Sequence, residues 1–476
     1  RPLAALLAAL IAVAACATNP VTGRRDFVLI SEAQEIALGQ ESDVEIRREM
    51  GVYDDEALQR YVADIGLRLA AVSHRPRLPW TFAVVDQQAV NAFALPGGYI
   101  YVTRGLLAHM NDEAELAGVL GHEIGHVTAR HGVQQYSQQQ LAGFGLLGAQ
   151  IFVPGTRPFG DLASAALGLA FLKFGRDDEL QSDQLGVRYT SLAGWDPMGV
   201  PRVLETLARL SDLSVRGVPT FLSTHPDPGS RVQEAIPLAQ KAAGPQAMTT
   251  NRDAFLRRID GIVFGDNPKD GIVRGNAFLH PVLRIGLEFP EGWEIRNAPT
   301  QVTAQESDQQ HYMVLQLVEQ PRGRSIEEVA ANAMSAANFR RVEGSRTRLG
   351  GLEAYVGLYT GSIQGIGRVV MRAAHIGQGR QVYVVAGFAP EQRFTAIDRP
   401  VTRSIQSFRE LSRAEAENIR PNRVDFYVVR EGDSWQSIAA RAGEQIAPAT
   451  ALAIMNGYPV NVQPTVGTRV KIVVAG

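Results

Sequence analysis

The chain of 476 residues contains a single cysteine, Cys16, and this excludes a disulfide within the chain. It also has little excess charge of one sign, since 47 Lys and Arg residues stand against 49 Asp and Glu residues. A chain-wide basic surface for nucleic acid is therefore excluded. Low-complexity tracts and repeats of solenoid period are absent as well. The hydrophobic content of 45% is typical of globular domains, and the length predicts roughly two to four of them.

Long hydrophobic runs are scarce too, and the most apolar run, LAALLAALIAVAA, ends at the cysteine. It is shorter than the roughly 20 apolar residues that cross a bilayer, so it predicts the core of a signal peptide. The residues VAAC resemble a bacterial lipobox, in which Cys16 is lipidated and becomes the mature N-terminus. The alternative is an incidental buried cysteine. The missing methionine and basic leader indicate a truncated start, and Ala17 in place of aspartate favours the outer membrane.

A second apolar segment covers residues 141–174 and is rich in Gly and Ala. Its uncharged runs are too short to span a bilayer, and Pro154 and Pro158 interrupt them. The segment therefore predicts a helical hairpin or lid in preference to a membrane hairpin.

The sequence HEIGH, residues 122–126, carries the strongest chemical signal. It lies in an amphipathic pattern that Asn111 or Asp112 can cap, which predicts a helix. Positions i and i+4 share one helix face, so His122 and His126 can bind one zinc ion together. Glu123 lies about 100° around the helix, where it can take a proton from zinc-bound water and pass it to the leaving amine. The alternative is a solvated helix with two surface histidines.

A catalytic zinc site has three protein ligands and one open position. The extended pattern HExxHxxGxxH is excluded, because Ala129 and Gly132 stand where it requires glycine and histidine. His131 is out of register and is predicted to be solvated. A later predicted helix in GRDDELQSDQLG offers Glu179 as the third ligand. Asp183, one turn further on, can accept the N–H of a ligand histidine.

Five motifs occur in order between about residues 19 and 239: NPVTGRRDFVLIS, NAFALPGGYIYVTRGLL, HEIGH, GRDDELQSDQLGVRY and STHPDP. This set resembles the bacterial lipoprotein and periplasmic relatives of the CAAX prenyl endopeptidases. The resemblance implies a gluzincin-type endopeptidase with one Zn²⁺ per chain, ligands His122, His126 and Glu179, and Glu123 as general base. Asp183 matches the family's aspartate that supports a ligand histidine. Soluble protein substrates are implied, because the family's membrane-spanning framework is absent.

The resemblance also places His225, in the HP dipeptide, near the metal. It would either stabilise the oxyanion or occupy the open metal position as a fourth ligand, and the alternative is a turn residue held by Pro226. Arg231 would orient the same region or bind substrate carbonyls.

The sequence NAFA predicts where substrate binds. These residues could present an edge strand to which an extended peptide adds through backbone hydrogen bonds. The alternative is an ordinary core strand. The predicted substrate-binding residues of the strand are Asn91, Ala92, Phe93 and Ala94.

The rest of the chain differs in its hydrophobic pattern. Alternating strand patterns predict an α+β domain of unassigned role over residues 275–411, with one helix at 325–337. The last part of the chain contains YVVREGDSWQSIAARAG and, further on, NGYPVNVQPTVGTRVKIV. With these sequences, residues 424–476 resemble a LysM module, which implies a small β-α-α-β unit. Such a module would bind the glycan of peptidoglycan or keep the fold without that binding.

Together these features predict a multidomain chain: a signal peptide with lipobox (1–16), a mainly α-helical α+β zincin-like peptidase domain (17–250), the α+β domain (275–411) and a LysM-like domain (424–476). The predicted function is a periplasmic, lipid-anchored zinc endopeptidase, at the outer membrane, that degrades misfolded or misassembled envelope proteins. Peptidoglycan is a further predicted partner. The alternatives are an outer-membrane chaperone or assembly factor using the same cleft, and a peptidoglycan-binding lipoprotein.

Overall fold

The computed structural model describes residues 16–145, 168–170, 172–212, 220–244, 248–298, 300–306, 310–318, 321–363, 365–443 and 446–476. The chain divides into two compact units. Unit 1 takes its residues from Arg1–Gly265 and Asn422–Ala475, and unit 2 from Asp266–Pro421 and Gly476. The predicted signal-peptide core and most of the predicted hairpin over 141–174 lie outside the described residues. In the described part of the chain, no helix is both long and apolar enough to cross a membrane.

The first part of unit 1 is mainly helical. Its helices are α1 (Glu32–Met50), α2 (Glu56–Ala71), α3 (Arg104–His109), α4 (Glu113–Thr128), α5 (His131–Gly145), α6 (Arg176–Leu192), α7 (Gly199–Asp212), α8 (Thr220–Thr224), α9 (Pro228–Ala243) and α10 (Arg252–Arg258). Its strands are β1 (Cys16–Thr18), β2 (Arg25–Phe27), β3 (Thr81–Val85), β4 (Ala92–Leu95), β5 (Tyr99–Thr103) and β6 (Val263–Phe264).

Helix α4 carries the HEIGH sequence and is buried along its whole length. Asp112 caps it by accepting a 2.9 Å hydrogen bond from the backbone nitrogen of Glu115. Glu113 and Glu115 lie in the first turn, where acidic side chains stabilise the positive end of a helix. A helix buried on all sides is positioned by its neighbours, so those neighbours fix the location of its histidines.

Glycines bring α4 and α6 into close contact. A Cβ on Gly186 would lie 3.0 Å from the backbone nitrogen of His122, and one on Gly125 would lie 3.1 Å from Cα of Ser182. Gly121 meets the carbonyl oxygen of Gly186 in the same way, at 3.1 Å. The two backbones therefore approach more closely than side chains would permit, and this brings Glu179 of α6 within reach of the α4 histidines.

A three-stranded sheet with the order β3-β5-β4 packs beside α4. Strand β3 runs parallel to β5, and β4 pairs antiparallel with β5. Strand β4 therefore lies at the edge of this sheet. One face of the sheet contributes Val84 and Ile100 to the core that contains α4, and the other face packs Phe93 and Tyr101 against Leu169.

Unit 2 is an α+β structure built on antiparallel sheets. Strands β10 (Glu294–Asn297), β11 (Gln301–Gln305), β12 (Tyr312–Leu317), β13 (Arg340–Leu349), β14 (Leu352–Ile363), β15 (Gly367–Gln378) and β16 (Gln381–Pro390) form a sheet with the order β10-β11-β12-β16-β15-β14-β13. Strands β7 (Ile272–Arg274), β8 (Ala277–His280), β9 (Ile285–Glu288) and β17 (Arg409–Glu410) form a second sheet. The helices are α11 (Ile326–Ala336), α12 (Phe394–Gln406) and α13 (Arg413–Glu417).

The C-terminal segment returns to unit 1 and follows the order strand, helix, helix, strand. Its elements are β18 (Asn422–Val428), α14 (Trp435–Ala442), α15 (Ala449–Met455) and β19 (Arg469–Val474). Strand β18 pairs with β19 and also with β6. Val424, Trp435 and Leu452 belong to the same apolar core as Leu107 and Met110. The segment is thus continuous with the core around α4, while the domain boundaries drawn from the sequence stay predictions.

Candidate active site

Four buried side chains from three parts of unit 1 converge. His122 and His126 come from α4, Glu179 from α6, and His225 directly follows α8. Each offers one ligand atom, and these atoms all lie within 4.8 Å of one another. The structure therefore brings together the three predicted ligands and adds His225 to them.

The spacing of these atoms fits a zinc ion. Zinc–nitrogen bonds of about 2.0–2.1 Å in a tetrahedron place neighbouring ligand atoms roughly 3.3 Å apart. The Nε2 atoms of His122 and His126 are 3.0 Å apart, and His126 Nε2 lies 3.4 Å from Glu179 Oε1. Burial lowers the pKa of His126 well below its usual value, so its ring is neutral and has a lone pair for a metal. The cluster can hold one zinc ion.

Hydrogen bonds behind the cluster orient its histidines. Nδ1 of His122 lies 2.9 Å from Oδ1 of Asp183, and this turns Nε2 toward the other ligand atoms. Nδ1 of His126 lies 3.0 Å from Nδ1 of His131, whose Nε2 lies 2.8 Å from Gln181 Oε1. The structure thus places Asp183 at the ring nitrogen of His122, and its supporting role stays a prediction.

The prediction that His131 is solvated is wrong, because the residue is only 4% exposed. Arg130 has a φ of 64°, a left-handed conformation that turns the chain between α4 and α5. His131 begins α5 directly after this turn and is thereby folded back against His126.

Arg231 of α9 is 1% exposed and lies on the acidic side chains of the site. Its Nε and Nη2 donate to the two carboxylate oxygens of Asp183, each at 2.8 Å, and Nη1 makes an ion pair with Glu179. Of the two roles that the sequence left open, these contacts favour orientation of the site over contact with substrate carbonyls.

The charge of Arg231 also acts on the acids that it touches. Burial alone would raise the pKa of Asp183, but hydrogen bonds and charge from Arg231 hold it below its usual value. For Glu179, burial is likewise outweighed by His225, His126 and Arg231, and its pKa lies well below the usual value. Both carboxyl groups are therefore ionised at neutral pH, as a metal ligand and its supporting acid need to be.

Glu123 differs from the other two acids. Its side chain is fully buried, and neither carboxylate oxygen has a hydrogen-bond partner among the described residues. Its nearest basic group is His225, whose Nε2 lies 3.6 Å from Oε1. Burial raises the pKa of Glu123. A buried carboxylate without a hydrogen bond is costly in a folded protein, so its presence beside the cluster indicates a group that exchanges a proton.

Strand β4 combines both features that the sequence left as alternatives. It lies at a sheet edge, yet Ala92 and Phe93 are buried, with the ring of Phe93 stacked on Tyr101 at 4.8 Å. The backbone nitrogen of Asn91 donates to Thr103 Oγ1, while its Oδ1 has no partner among the described residues. Ala94 is half-buried. Addition of a peptide to this edge would therefore rely on backbone groups.

Sequence reasoning missed three residues around the site. Phe174 stacks on His126, with ring centroids 4.0 Å apart, and Phe221 stacks on His225 at 4.5 Å. Asn19, the first residue of NPVTG, donates from Nδ2 to the carbonyl oxygen of Ala129 at the end of α4. Phe174 could have been found from its position just before GRDDEL. Phe221 and Asn19 could not, because their contacts with the site are distant in sequence.

Comparison with known proteins gives a family match for the region that contains the site. Residues 56–237 match the model of peptidase family M48. The beta-barrel assembly-enhancing protease of Yersinia pestis is 32% identical over 226 residues, which cover 45% of this chain and 46% of that protein. Its counterpart in Escherichia coli (strain K12) is 29% identical, covering 51% of each chain. The mitochondrial metalloendopeptidase OMA1 of Arabidopsis thaliana is 34% identical, covering 45% of this chain and 44% of that protein.

The chain thus spans about half the length of the curated relatives it matches. The match to a solved structure of cyanobacterial PsbP from Synechocystis sp. covers 29% of this chain and 95% of the PsbP chain, at 11% identity. Its TM-score of 0.24 is too low to indicate a shared fold. The family match, by contrast, spans every residue of the His–His–Glu–His cluster. Residues 56–237 are therefore similar to peptidase family M48, and within them lies a buried cluster that can hold one metal ion.

Proposed function

We propose that this chain is an envelope endopeptidase that hydrolyses peptide bonds in misfolded or misassembled proteins. His122, His126 and Glu179 hold the zinc ion, and Glu123 is the general base. The buried cluster, with a carboxylate beside it that has no hydrogen-bond partner among the described residues, is the observation that carries the proposal. A structural metal site would need no further buried acid beside its ligands.

Zinc, when bound, polarises the substrate carbonyl and lowers the pKa of a bound water to about 7. Glu123 takes a proton at a carboxylate oxygen and returns it to the leaving amine. Asp183 keeps the His122 ring oriented, and Arg231 keeps Asp183 and Glu179 ionised. Strand β4 would hold an extended substrate through backbone groups, which suits unfolded chains of varied sequence.

His225 serves as a gate in this proposal. Its Nδ1 lies 2.9 Å from Glu179 Oε1 and 3.3 Å from His122 Nε2, among the ligand atoms themselves. A side chain at this place can fill the fourth ligand position and has to withdraw before substrate binds. The competing role, stabilisation of the oxyanion, would use Nε2, which lies near Glu123.

The cellular setting is also a proposal. Lipidation of Cys16 would hold the chain at a membrane, and the outer membrane is the membrane that Ala17 favours. The LysM-like segment would add contact with peptidoglycan. The relatives in Yersinia pestis and Escherichia coli are named for enhancing β-barrel assembly, and this name supports envelope proteins as substrates.

A second candidate is a chaperone or assembly factor that holds clients at β4 without cleaving them. The edge position of β4 and the word "assembly" in the names of these relatives favour it. Glu123→Gln separates the two functions, because it removes the general base and leaves the edge of β4 intact.

The test uses the purified chain without residues 1–16. We expect about one zinc per chain and cleavage of an unfolded protein such as denatured casein. Glu123→Gln should keep the zinc and abolish cleavage, whereas His126→Ala and Glu179→Ala should lose most of the zinc. Glu234→Gln, on the exposed side of α9, is the matched control and should change neither. Full zinc retention in Glu179→Ala would place the third ligand elsewhere, and cleavage by Glu123→Gln would refute the mechanism.

A further inference from the structure

A buried lysine from the C-terminal segment lies against the start of the catalytic helix. Lys471 of β19 is 1% exposed, which is rare for lysine unless it is paired. Its Nζ donates to the carbonyl oxygen of Ala108 at 2.9 Å and to that of Met110 at 2.5 Å. These carbonyls end α3 and begin the link to α4. We call residues 108–112 the α3–α4 junction.

Other side chains tie the same junction to the C-terminal segment. Arg252 donates to the carbonyl oxygens of Asn111, in the junction, and of Arg469, in β19, at 2.9 and 3.0 Å. Oδ1 of Asn456 accepts a hydrogen bond from the backbone nitrogen of Lys471 at 2.7 Å, and Nδ2 of Asn456 donates to the carbonyl oxygen of Lys471 at 2.9 Å. The strand that carries Lys471 is therefore fixed before its ammonium group reaches the junction.

The charges on the first turn of α4 match this arrangement. Glu115 is buried and accepts a 2.7 Å hydrogen bond from the backbone nitrogen of Asn111. Burial lowers the pKa of Lys471 to about 7, and the charge of Glu115 opposes that shift. Arg202 pairs with Asp112 from the other side, at 3.0 Å. Lys471 and Arg202 thus both hold the junction, through its carbonyl oxygens and through Asp112.

We propose that Lys471 is a positioning residue for the peptidase reaction. It holds the first turn of α4, and so fixes where that helix presents His122 and His126 to Glu179. The inference rests on the proposed function. Eight residues, or about 12 Å of helix, separate Glu115 from Glu123, and a helix transmits a displacement over that length as a rigid body.

The packing of α4 on α6 makes such a displacement harmful. Gly125 and Gly186 leave no free space between the two backbones, since an added Cβ would already lie 3.0–3.1 Å from its neighbours. A shift at the first turn must therefore move the α4 ligands relative to Glu179. This gives the C-terminal segment a role inside the peptidase that requires no glycan.

The test is Lys471→Met in the chain without residues 1–16. Methionine keeps the length and apolar body of the side chain and removes its charge and donors. The control is Arg441→Met on α14 of the same segment, where the arginine is 59% exposed and pairs with Asp433. Each protein is loaded with Co²⁺ in place of zinc, and the visible spectrum of the ion reports its ligand geometry. Melting temperature, kcat and KM are measured alongside.

We expect Lys471→Met to shift the Co²⁺ spectrum and to lower kcat by up to about 100-fold, with a smaller change in KM. Arg441→Met should match the wild type. A folded Lys471→Met with wild-type spectrum and kcat would overturn the inference, because a merely stabilising lysine moves only the melting temperature. If Lys471→Met does not fold, Arg252→Met tests the same junction by the same criteria. A wild-type chain without metal or cleavage would refute the proposed function itself.

Discussion

Arg231 and Asp183 form a bidentate pair in which both nitrogen–oxygen distances are 2.8 Å. Asp183 in turn contacts His122 Nδ1 at 2.9 Å. The orientation of a metal ligand on α4 thus depends on an arginine of α9. The HEIGH sequence alone does not reveal this dependence, because Arg231 and Asp183 both lie outside it.

Removal of Arg231 should weaken zinc binding without removing a ligand. Arg231→Met leaves two buried carboxylates without their cation, so both would take up protons more readily and the His122 ring would lose its support. We expect zinc affinity to fall about 10- to 100-fold, measured by competition with a chelator. Arg176→Met, at an exposed ion pair with Glu234, should leave affinity unchanged. An Arg231→Met chain with wild-type affinity would show that the pair only stabilises the fold.

His225→Ala distinguishes the two roles of that histidine. If His225 is a gate, the variant should keep its zinc and cleave faster, because the fourth position is then open. If it stabilises the oxyanion, kcat should fall about 10²- to 10³-fold with little change in KM. Steady-state kinetics and metal analysis separate these outcomes, and unchanged values for both would reduce His225 to a turn residue.

Unit 2 should be sensitive to acid because of His375 on β15. Its side chain is fully buried, neither ring nitrogen has a partner in the described part of the chain, and burial lowers its pKa to about 4. An unfolded histidine titrates near 6.5. Between these values the unfolded chain binds a proton that the folded chain excludes, so stability falls as the pH falls.

Proton uptake by His375 on unfolding lowers the free energy of unfolding by about 2 kcal/mol between pH 7.5 and pH 5. His375→Leu should remove that part of the pH dependence, whatever it does to stability at pH 7.5. Denaturant unfolding of both proteins at the two pH values measures it, since other titrating groups cancel in the comparison. Equal pH dependence in both proteins would contradict the assignment.

Cys16→Ser tests the anchor. The full chain should lose its lipid and leave the membrane fraction for the soluble periplasmic fraction, detected by fractionation and immunoblotting. Ala17→Ser is the control and should stay with the membrane. Continued membrane association of Cys16→Ser would point instead to residues 141–174.

Local patterns predicted the parts of the site that lie on one helix. Histidines four residues apart share a face wherever the helix packs, so His122 and His126 followed from spacing, while Glu179 followed from the family resemblance. The burial of His131 did not follow, since it depends on the left-handed turn at Arg130. The lysine at the α3–α4 junction comes from the far end of the chain, and no local pattern marks such a contact. The helix in unit 2 at Ile326–Ala336 matched its predicted range within a residue.

The pairing of β1 with β2 would limit the distance between the proposed active site and a lipid on Cys16. Cys16 is paired opposite Phe27, and Asn19 is bonded to the end of α4 through Ala129. Asn19 follows Cys16 by three positions, a span of at most about 10 Å. If Cys16 carries lipid as proposed, no long flexible linker lies between the lipid and the end of α4. The helix would then be held at a fixed distance from the lipid headgroups. The proposed peptidase would then act on proteins that remain at the membrane surface, so that location would limit its substrates before their sequence does.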